Sequence, residues 1–456
     1  MYALDDTIAA ISTPIGQGGI GIVRLSGPEA LDIALRLFVP ARRALGDGIE
    51  SNRLYYGHIV DPDAESAVDE VLLSYMKEPH TYTRQPVVEI NAHGGIVPLR
   101  EILTLCLASG ARMAHEGEFT LRAFLNGRID LAQAEAVLDV VCAKTEASLR
   151  VAVDQLGGRL SKGVRAIRDR LLDLLAYLEA SIDFPEDEIP PRQIGPELEQ
   201  ARQALSNLLT EASQGMVYRQ GIRTAIVGRP NVGKSSLLNR LLRSDRAIVT
   251  PIPGTTRDTL EETLSLRGIP LVLVDTAGIG ETVHIIEQMG MERSRRSIQS
   301  ADLVLLVLDG GEPPTEADRQ VADLSADRTT IVVVNKSDLP AASGHAQLLP
   351  EAPHVSLSAK TGDGIPELES LILETVFSGK VIASNEPIAS NPRHRDLFRR
   401  ALVHVQEAQG ALSEGLPADL VAIDVSEAVN ALGEITGETA SEDLLDRIFG
   451  SFCIGK

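Results

Sequence analysis

The spacing of hydrophobic and polar positions changes character along the chain. Up to about residue 118, short β-like runs alternate with Gly and Pro turns. Thr7–Ser12, Gly21–Leu25, Val71–Tyr75 and Val87–Asn91 read as strands, and Pro28–Leu37 reads as a helix. From about Phe119 the period becomes helical. Val164, Ile167, Leu171, Leu174 and Leu178 recur at intervals of three and four, which predicts one apolar stripe on a long helix. The acidic, proline-bearing stretch from Asp183 to Pro191 breaks that helix, and a second is predicted from about Pro196. Between about Tyr218 and Phe377, apolar runs such as Leu303–Leu308 and Ile331–Val334 alternate with helical patterns, as in a doubly wound parallel sheet. After Ser378 the helical period returns, with Leu397, Ala401, Val405 and Ala408 on one face.

Two helical zones thus flank an α/β zone, and each needs a partner to bury its stripe. The simplest packing joins them into one domain interrupted by the α/β zone, since the termini of compact domains lie close together. The expected fold class is multidomain: an α+β N-terminal domain over 1–118, an all-α domain over 119–215 and 379–456, and an inserted α/β domain over 216–378.

Composition narrows this picture only a little. A chain of 456 residues, 44% hydrophobic and 23% charged, suits a soluble protein of several domains. No apolar run approaches the ~18 residues of a membrane-spanning helix. The acidic start Met1-Tyr2-Ala3-Leu4-Asp5-Asp6 lacks the basic region of a signal peptide. Three separated cysteines, Cys106, Cys142 and Cys453, form neither a metal pair nor a disulfide framework, so a reducing cytoplasm is the expected location. The net charge of −21 weighs against autonomous nucleic-acid binding, which needs clustered cations to neutralise phosphates. Arg393-His394-Arg395 and Arg399-Arg400 read as solvated helix faces, and a partner would supply most of the positive surface for any RNA substrate.

The chemistry concentrates in the α/β zone. Thr224–Val227 is a strand, Ser236–Leu242 is helix-forming, and between them stands G-x-x-x-x-G-K-[ST] as Gly228-Arg229-Pro230-Asn231-Val232-Gly233-Lys234-Ser235, followed by Ser236. Glycines let backbone N–H groups close round phosphate oxygens, and the helix N-terminus adds its dipole. Lys234 would reach the β- and γ-phosphates, and Ser235 would ligate Mg²⁺. The strand Leu271–Val274 leads into Asp275-Thr276-Ala277-Gly278, where Asp275 can hold the Mg²⁺ shell and the Gly278 amide can meet the γ-phosphate. Ile331–Val334 leads into Asn335-Lys336-Ser337-Asp338. The Asp338 carboxylate can accept from guanine N1–H and N2–H₂, which adenine lacks, and Ser358-Ala359-Lys360 would close over the base. These motifs predict a P-loop GTPase domain with GTP as its nucleotide.

Other matches fail on context. Gly16-Gln17-Gly18-Gly19-Ile20-Gly21 fits G-x-G-x-x-G, but a strand-like run follows where a helix should begin. His93-Gly94-Gly95 has no G-x-S-x-G nucleophile to serve. Cys453 stands four residues from the end, yet Gly455 and Lys456 are atypical of a prenylation box and no polybasic stretch precedes it.

The α/β zone resembles the translation-factor-related GTPases, and more closely their Era-like subgroup. That resemblance implies a switch in Thr250-Pro251-Ile252-Pro253-Gly254-Thr255-Thr256-Arg257-Asp258, with Thr256 on Mg²⁺. Ras-like proteins carry a water-orienting Gln after the DxxG glycine; here Ile279 stands there, and an aliphatic side chain cannot orient water. Outside this zone stand the segments 18–27 (GGIGIVRLSG), 88–95 (VEINAHGG) and 117–131 (GEFTLRAFLNGRIDL), with Cys453-Ile454-Gly455-Lys456 at the end. Together these resemble the MnmE (TrmE) family of tRNA-modification GTPases along essentially the whole chain.

The resemblance implies an N-terminal folate-binding and dimerising domain, a helical domain and an inserted G domain. It implies a homodimer that, with an FAD-binding partner, MnmG, forms a heterotetramer acting on the wobble uridine of certain tRNAs. The carbon would come from 5-formyl- or 5,10-methylene-tetrahydrofolate, held by Arg24, Glu89, Arg128 and Lys456. It implies K⁺ beside the phosphates, on Asn231, Thr250, Ile252 and Thr255, in place of an arginine finger. Glu287 would position the water, and Cys453 would act at the folate site in chemistry that the sequence leaves open. The competing class is a ribosome-assembly GTPase of the Era or Der kind. Those carry a basic KH-type RNA-binding domain after their G domains, whereas the C-terminal zone here is helical and acidic.

Overall fold

Alternation in the N-terminal third becomes a seven-stranded sheet, and the later apolar runs become a six-stranded one. In the computed structural model the described residues are 4–41, 48–184, 190–244, 262–274, 295–377 and 389–456. They divide into two compact units, one of 1–138, 164–168 and 429–456, the other of 139–163 and 169–428.

The first unit is built on β1 (Ile8–Ile11), β2 (Gly18–Ser26), β3 (Phe38–Pro40), β4 (Leu54–Asp61), β5 (Ser66–Met76), β6 (Val87–Gly94) and β7 (Arg112–Met113). Their order is β3-β4-β5-β6-β2-β1-β7, antiparallel throughout except for the parallel pair β1–β7. Helices Ala30–Leu37 and Ile96–Ala108 bury Ile33, Leu37, Ile102 and Cys106 in one core with Val23, Leu25 and Ile90. Strand β4 escaped the sequence pattern for a local reason. Gly57 interrupts it, and a Cβ there would stand 2.4 Å from the Val39 carbonyl, so close backbone approach forbids a packing side chain. Strand β5 begins earlier than expected because its first residues are polar and largely exposed.

The end of the chain returns to this unit. Leu445, Phe449 and Phe452 pack with Leu121, Ile129 and Leu131. Glu116 and Ile454 form an isolated antiparallel bridge. Gly455 has φ +92°, and a Cβ there would meet the Ile11 carbonyl at 2.4 Å.

The second unit carries β8 (Ile222–Val227), β9 (Glu262–Leu266), β10 (Ile269–Leu273), β11 (Leu303–Asp309), β12 (Thr330–Asn335) and β13 (His354–Ser356) in the order β13-β12-β11-β8-β10-β9. The central strands are parallel, as expected for strands buried on both faces. Leu271, Leu305 and Ile331 meet Leu237, Leu241 and Leu368 on one face; Val304, Leu306 and Val332 meet Ile298 and Val321 on the other. The exception is β9, which pairs antiparallel with β10 through a turn at Arg267 (φ +49°) and Gly268 (φ +92°). Thr145 caps helix Glu146–Leu156 by accepting from the Ser148 amide, and its hydroxyl donates to the Gly268 carbonyl at 2.6 Å. Helix Ile194–Gln220 runs past residue 216, where the α/β zone was expected to begin, and ends at Gly221 (φ +76°). Helix Pro392–Ser413 packs along it with Leu397, Ala401, Val405 and Ala408 buried, as their spacing predicts. The stripe from Val164 to Leu178 is buried likewise on helix Arg159–Asp183. Among the described residues, no helix is long and apolar enough to cross a membrane.

In the first unit the guanidinium of Arg122 is fully buried. It donates to Glu118 and Asp6 carboxylates, to the Asp6 carbonyl and to Gln85 Oε1. Burial by itself would raise the Glu118 carboxyl, but hydrogen bonds from Arg112, the His115 amide and Arg122 hold it below its ordinary value of 4.5. Its contribution to stability is therefore present above about pH 4.5 and is lost as pH falls through the depressed folded value. Arg122→Ala should destabilise this unit by about 3 kcal/mol, because two carboxylates lose their buried partner. Denaturant unfolding checks this, and the variant should show a smaller acid-induced loss below about pH 4.5 than the parent chain.

Candidate functional site

At the C-terminal end of β8 the chain turns through three residues that tolerate left-handed backbone: Gly228 (φ +147°), Asn231 (φ +67°) and Gly233 (φ +99°). Neither glycine can be replaced without collision. A Cβ on Gly228 would stand 2.3 Å from the Val307 carbonyl, and one on Gly233 would stand 2.2 Å from Asn335 Nδ2. Val232 is buried and anchors the loop, whereas Asn231, Ser235 and Ser236 are exposed. Lys234 opens helix Lys234–Ser244, and its ammonium donates to the Gly228 and Arg229 carbonyls, both at 2.8 Å. Burial lowers its pKa, and among the described residues no carboxylate pairs with it. A half-buried cation with only carbonyl partners fits a site whose missing counter-charge is a phosphate.

The other wall comes from β12 and the loop after β13. Asn335 Nδ2 donates to the Val232 carbonyl at 2.8 Å, while its Oδ1 accepts from the Ala359 amide at 2.9 Å. Lys336, at φ +66°, pairs its ammonium with Asp309 at the end of β11. The Ser358 hydroxyl donates to Asp338 Oδ1 at 2.7 Å and thereby holds that carboxyl below the usual range. An ionised Asp338 keeps acceptor capacity for guanine donors. The sequence reading missed Arg240, which donates from Nε to the Ala359 carbonyl (3.2 Å) and from Nη2 to the Lys360 carbonyl (2.6 Å). It also missed Asp309, whose one signal is an acid at the end of the apolar run Leu303–Leu308. Arg229, inside the phosphate loop, is held by Glu312 beside Asp318 and Asp309, so its charge is already committed. Thr250, Pro251, Ile252, Pro253, Gly254, Thr255, Thr256, Asp275, Thr276, Ala277, Gly278 and Glu287 lie outside the described residues.

A second group gathers in the first unit. Arg24 and Glu89 are register partners on β2 and β6, joined by Nε to Oε1 at 2.9 Å and by Nη2 to Oε1 at 2.8 Å. Arg24 Nη1 also donates to the Gly455 carbonyl at 3.2 Å. The C-terminal turn, with exposed Cys453 and half-buried Lys456, thus meets the Arg24–Glu89 pair. Arg128 is not bonded to that pair; its guanidinium stacks over the Tyr82 ring at 4.7 Å.

The Asp338 geometry predicts base specificity. Asp338→Asn replaces an acceptor with a donor, so guanine nucleotide affinity should fall by about tenfold or more. Xanthine nucleotides, which present a carbonyl where guanine has N2–H₂, should bind better than to the parent chain. Equilibrium titration with labelled GDP and XDP checks both.

The model described as "GTP-binding protein TrmE N-terminus" matches residues 7–128, and that described as "MnmE helical domain" matches residues 131–453. The chain is 52% identical to the tRNA modification GTPase MnmE of Chloroflexus aurantiacus, over 99% of this chain and 100% of that one. It is 49% identical to the MnmE of Geobacillus thermodenitrificans, over 99% of each chain. The solved G domain of the T. maritima FeoB iron transporter is 27% identical, covering 34% of this chain and 98% of its own, with a TM-score of 0.25. The phosphate-loop motif, the Asn335-Lys336-Ser337-Asp338 motif beside it, and family matches along nearly the whole length lead to one assignment: the chain belongs to the MnmE family of tRNA modification GTPases, and it hydrolyses GTP in tRNA modification.

Proposed function

We propose that this GTPase acts as a homodimer and, with the FAD-dependent partner MnmG, forms a heterotetramer. The assembly would install an aminomethyl-type (carboxymethylaminomethyl) group at C5 of the wobble uridine, U34, of certain tRNAs in the cytoplasm. The carbon comes from 5-formyl- or 5,10-methylene-tetrahydrofolate bound by Arg24, Glu89, Arg128 and Lys456. One observation carries the reading: Arg24 is bonded to both Glu89 and the C-terminal tail, which joins three distant segments in a chain that also has a guanine-type nucleotide site. Glu89 suits the donor edge of a pterin, and cations suit the carboxylates of its glutamate tail. The exposed thiol of Cys453 is the reactive group proposed for that site. With a net charge of −21, tRNA is held largely through the partner. The proposed division into domains is 1–118, 119–215 with 379–456, and 216–378.

At the nucleotide, Ser235 and Thr256 hold Mg²⁺, and K⁺ sits on Asn231, Thr250, Ile252 and Thr255. Two observations support a K⁺ ion. Arg229 is already committed to acids, and the exposed Asn231 side chain is carried on left-handed backbone at the loop. Ile279 leaves water positioning to Glu287.

Loss of wobble-uridine modification in a deletion strain is expected; intact modification with defective ribosomal subunits would overturn the reading. GTP turnover should be about tenfold or more faster in K⁺ than in Na⁺, since the ion stands in for an arginine finger. Equal rates would remove the K⁺ site. Glu287→Ala should keep nucleotide binding and slow hydrolysis by about a hundredfold; unchanged turnover would remove Glu287 from this role.

A further inference from the structure

The arginines of the proposed folate site are linked by aromatic rings. Arg24 lies over Phe119 at 5.7 Å and Arg128 over Tyr82 at 4.7 Å. Phe119 and Tyr82 pack in one cluster with Ile8, Ala10 and Ala114. Glu89 is bonded to Arg24, and the rings under Arg24 and Arg128 belong to this one cluster. Beyond Tyr82 the surface opens into a cavity of about 440 Å³, and no acidic residue lines it. Arg84, His80 and Asn52 are on its wall together with Arg128.

Arg84 is held there at some cost. Its backbone is left-handed (φ +60°), a conformation that L side chains rarely adopt, and so is that of Asn52 (φ +63°). Two of the other left-handed non-glycine residues, Asn231 and Lys336, belong to the nucleotide site. Arg84 Nη1 donates to the Asn126 carbonyl at 2.9 Å, and Asn126 Nδ2 donates to the Thr83 carbonyl at 2.7 Å, which locks the two loops together. That single bond leaves most of the five guanidinium donors of Arg84 uncommitted. Among the described residues neither Arg84 nor Arg128 pairs with a carboxylate, although acids outnumber bases by 64 to 43 in the chain.

We propose that this cavity takes the γ-linked glutamates beyond the first on a tetrahydrofolate tail, with Arg84 pairing the carboxylates that Arg128 leaves free. The proposal rests on the folate reading above and extends it from a ligand to a tail-length specificity. Each added γ-glutamate brings one further carboxylate, the group for which a planar guanidinium fork is matched. The cavity exceeds the need of one glutamate and falls in the range of about 300–1,000 Å³ typical of small-molecule sites. An RNA phosphate is the other anion at hand, but the strong negative charge of the chain repels a polyanion.

The test is calorimetric titration of the full-length chain with 5-formyltetrahydrofolate carrying one or three glutamates, with tRNA titrated separately. The triglutamate should bind about tenfold more tightly than the monoglutamate, as expected for two partly exposed ion pairs. Arg84→Gln should bring that ratio close to one while leaving the affinity for the monoglutamate near that of the parent chain, and Arg84→Lys should restore part of it. Equal binding of both forms by the parent chain overturns the tail site and leaves the folate reading standing; binding of neither overturns the folate reading itself. A ratio that survives Arg84→Gln, or a loss confined to tRNA affinity, also overturns the assignment of Arg84.

Discussion

The carboxamide of Asn335 joins the two halves of the candidate nucleotide site. Its nitrogen holds the phosphate loop through the Val232 carbonyl, and its oxygen holds the base-facing loop through the Ala359 amide. A carboxylate could not donate and an ammonium could not accept; the amide does both. The position is set by register: Asp309 and Asn335 are partners at the ends of β11 and β12. Gly233 must lack a side chain because the Asn335 amide fills that space, and Lys336 turns back to Asp309. Arg240 then fixes the carbonyls of the base-facing loop from a helix of the phosphate side. The expected phosphate and base contacts therefore rest on the same few sheet ends.

The first unit has an analogous tie in Arg122, which draws Asp6, Gln85 and Glu118 to one buried guanidinium. Arg24 and Arg128 are used in a different way: each lies against an aromatic ring, and Arg24 is paired as well with Glu89. Gly455 admits the last turn beside β1, and the tail thereby reaches Arg24.

Between the expected switch segments lies the β9–β10 hairpin, whose turn is bonded to the Thr145 cap of helix Glu146–Leu156. The hairpin turn is tied a second time by Arg267, whose Nη2 donates to Ser370 Oγ at 3.0 Å, and its edge strand buries Leu264 and Leu266. The Thr145 contact places a helix terminus one hydrogen bond away from the segment joining the two switch sequences.

Local patterns carried much of this into the sequence. Periodicity located the stripe from Val164 to Leu178 and that from Leu397 to Ala408 because burial on one helix face leaves a regular trace. The phosphate loop and the Asn335–Asp338 motif were legible because phosphate and guanine each demand particular residues at fixed spacing. Strand β4 was illegible where Gly57 yields to a neighbouring carbonyl, and β9 was illegible as an antiparallel edge because pairing direction leaves no mark on a short run. By itself, then, the sequence determined which helices bury a face and which nucleotide the loop is made for. Only the tertiary structure decided that Arg240 clamps the base-facing loop, that the chain's last turn meets Arg24, and that Arg84 and Arg128 share a cavity. Those contacts join residues far apart along the chain, and no spacing rule connects side chains whose separation is set by the packing of whole sheets and helices.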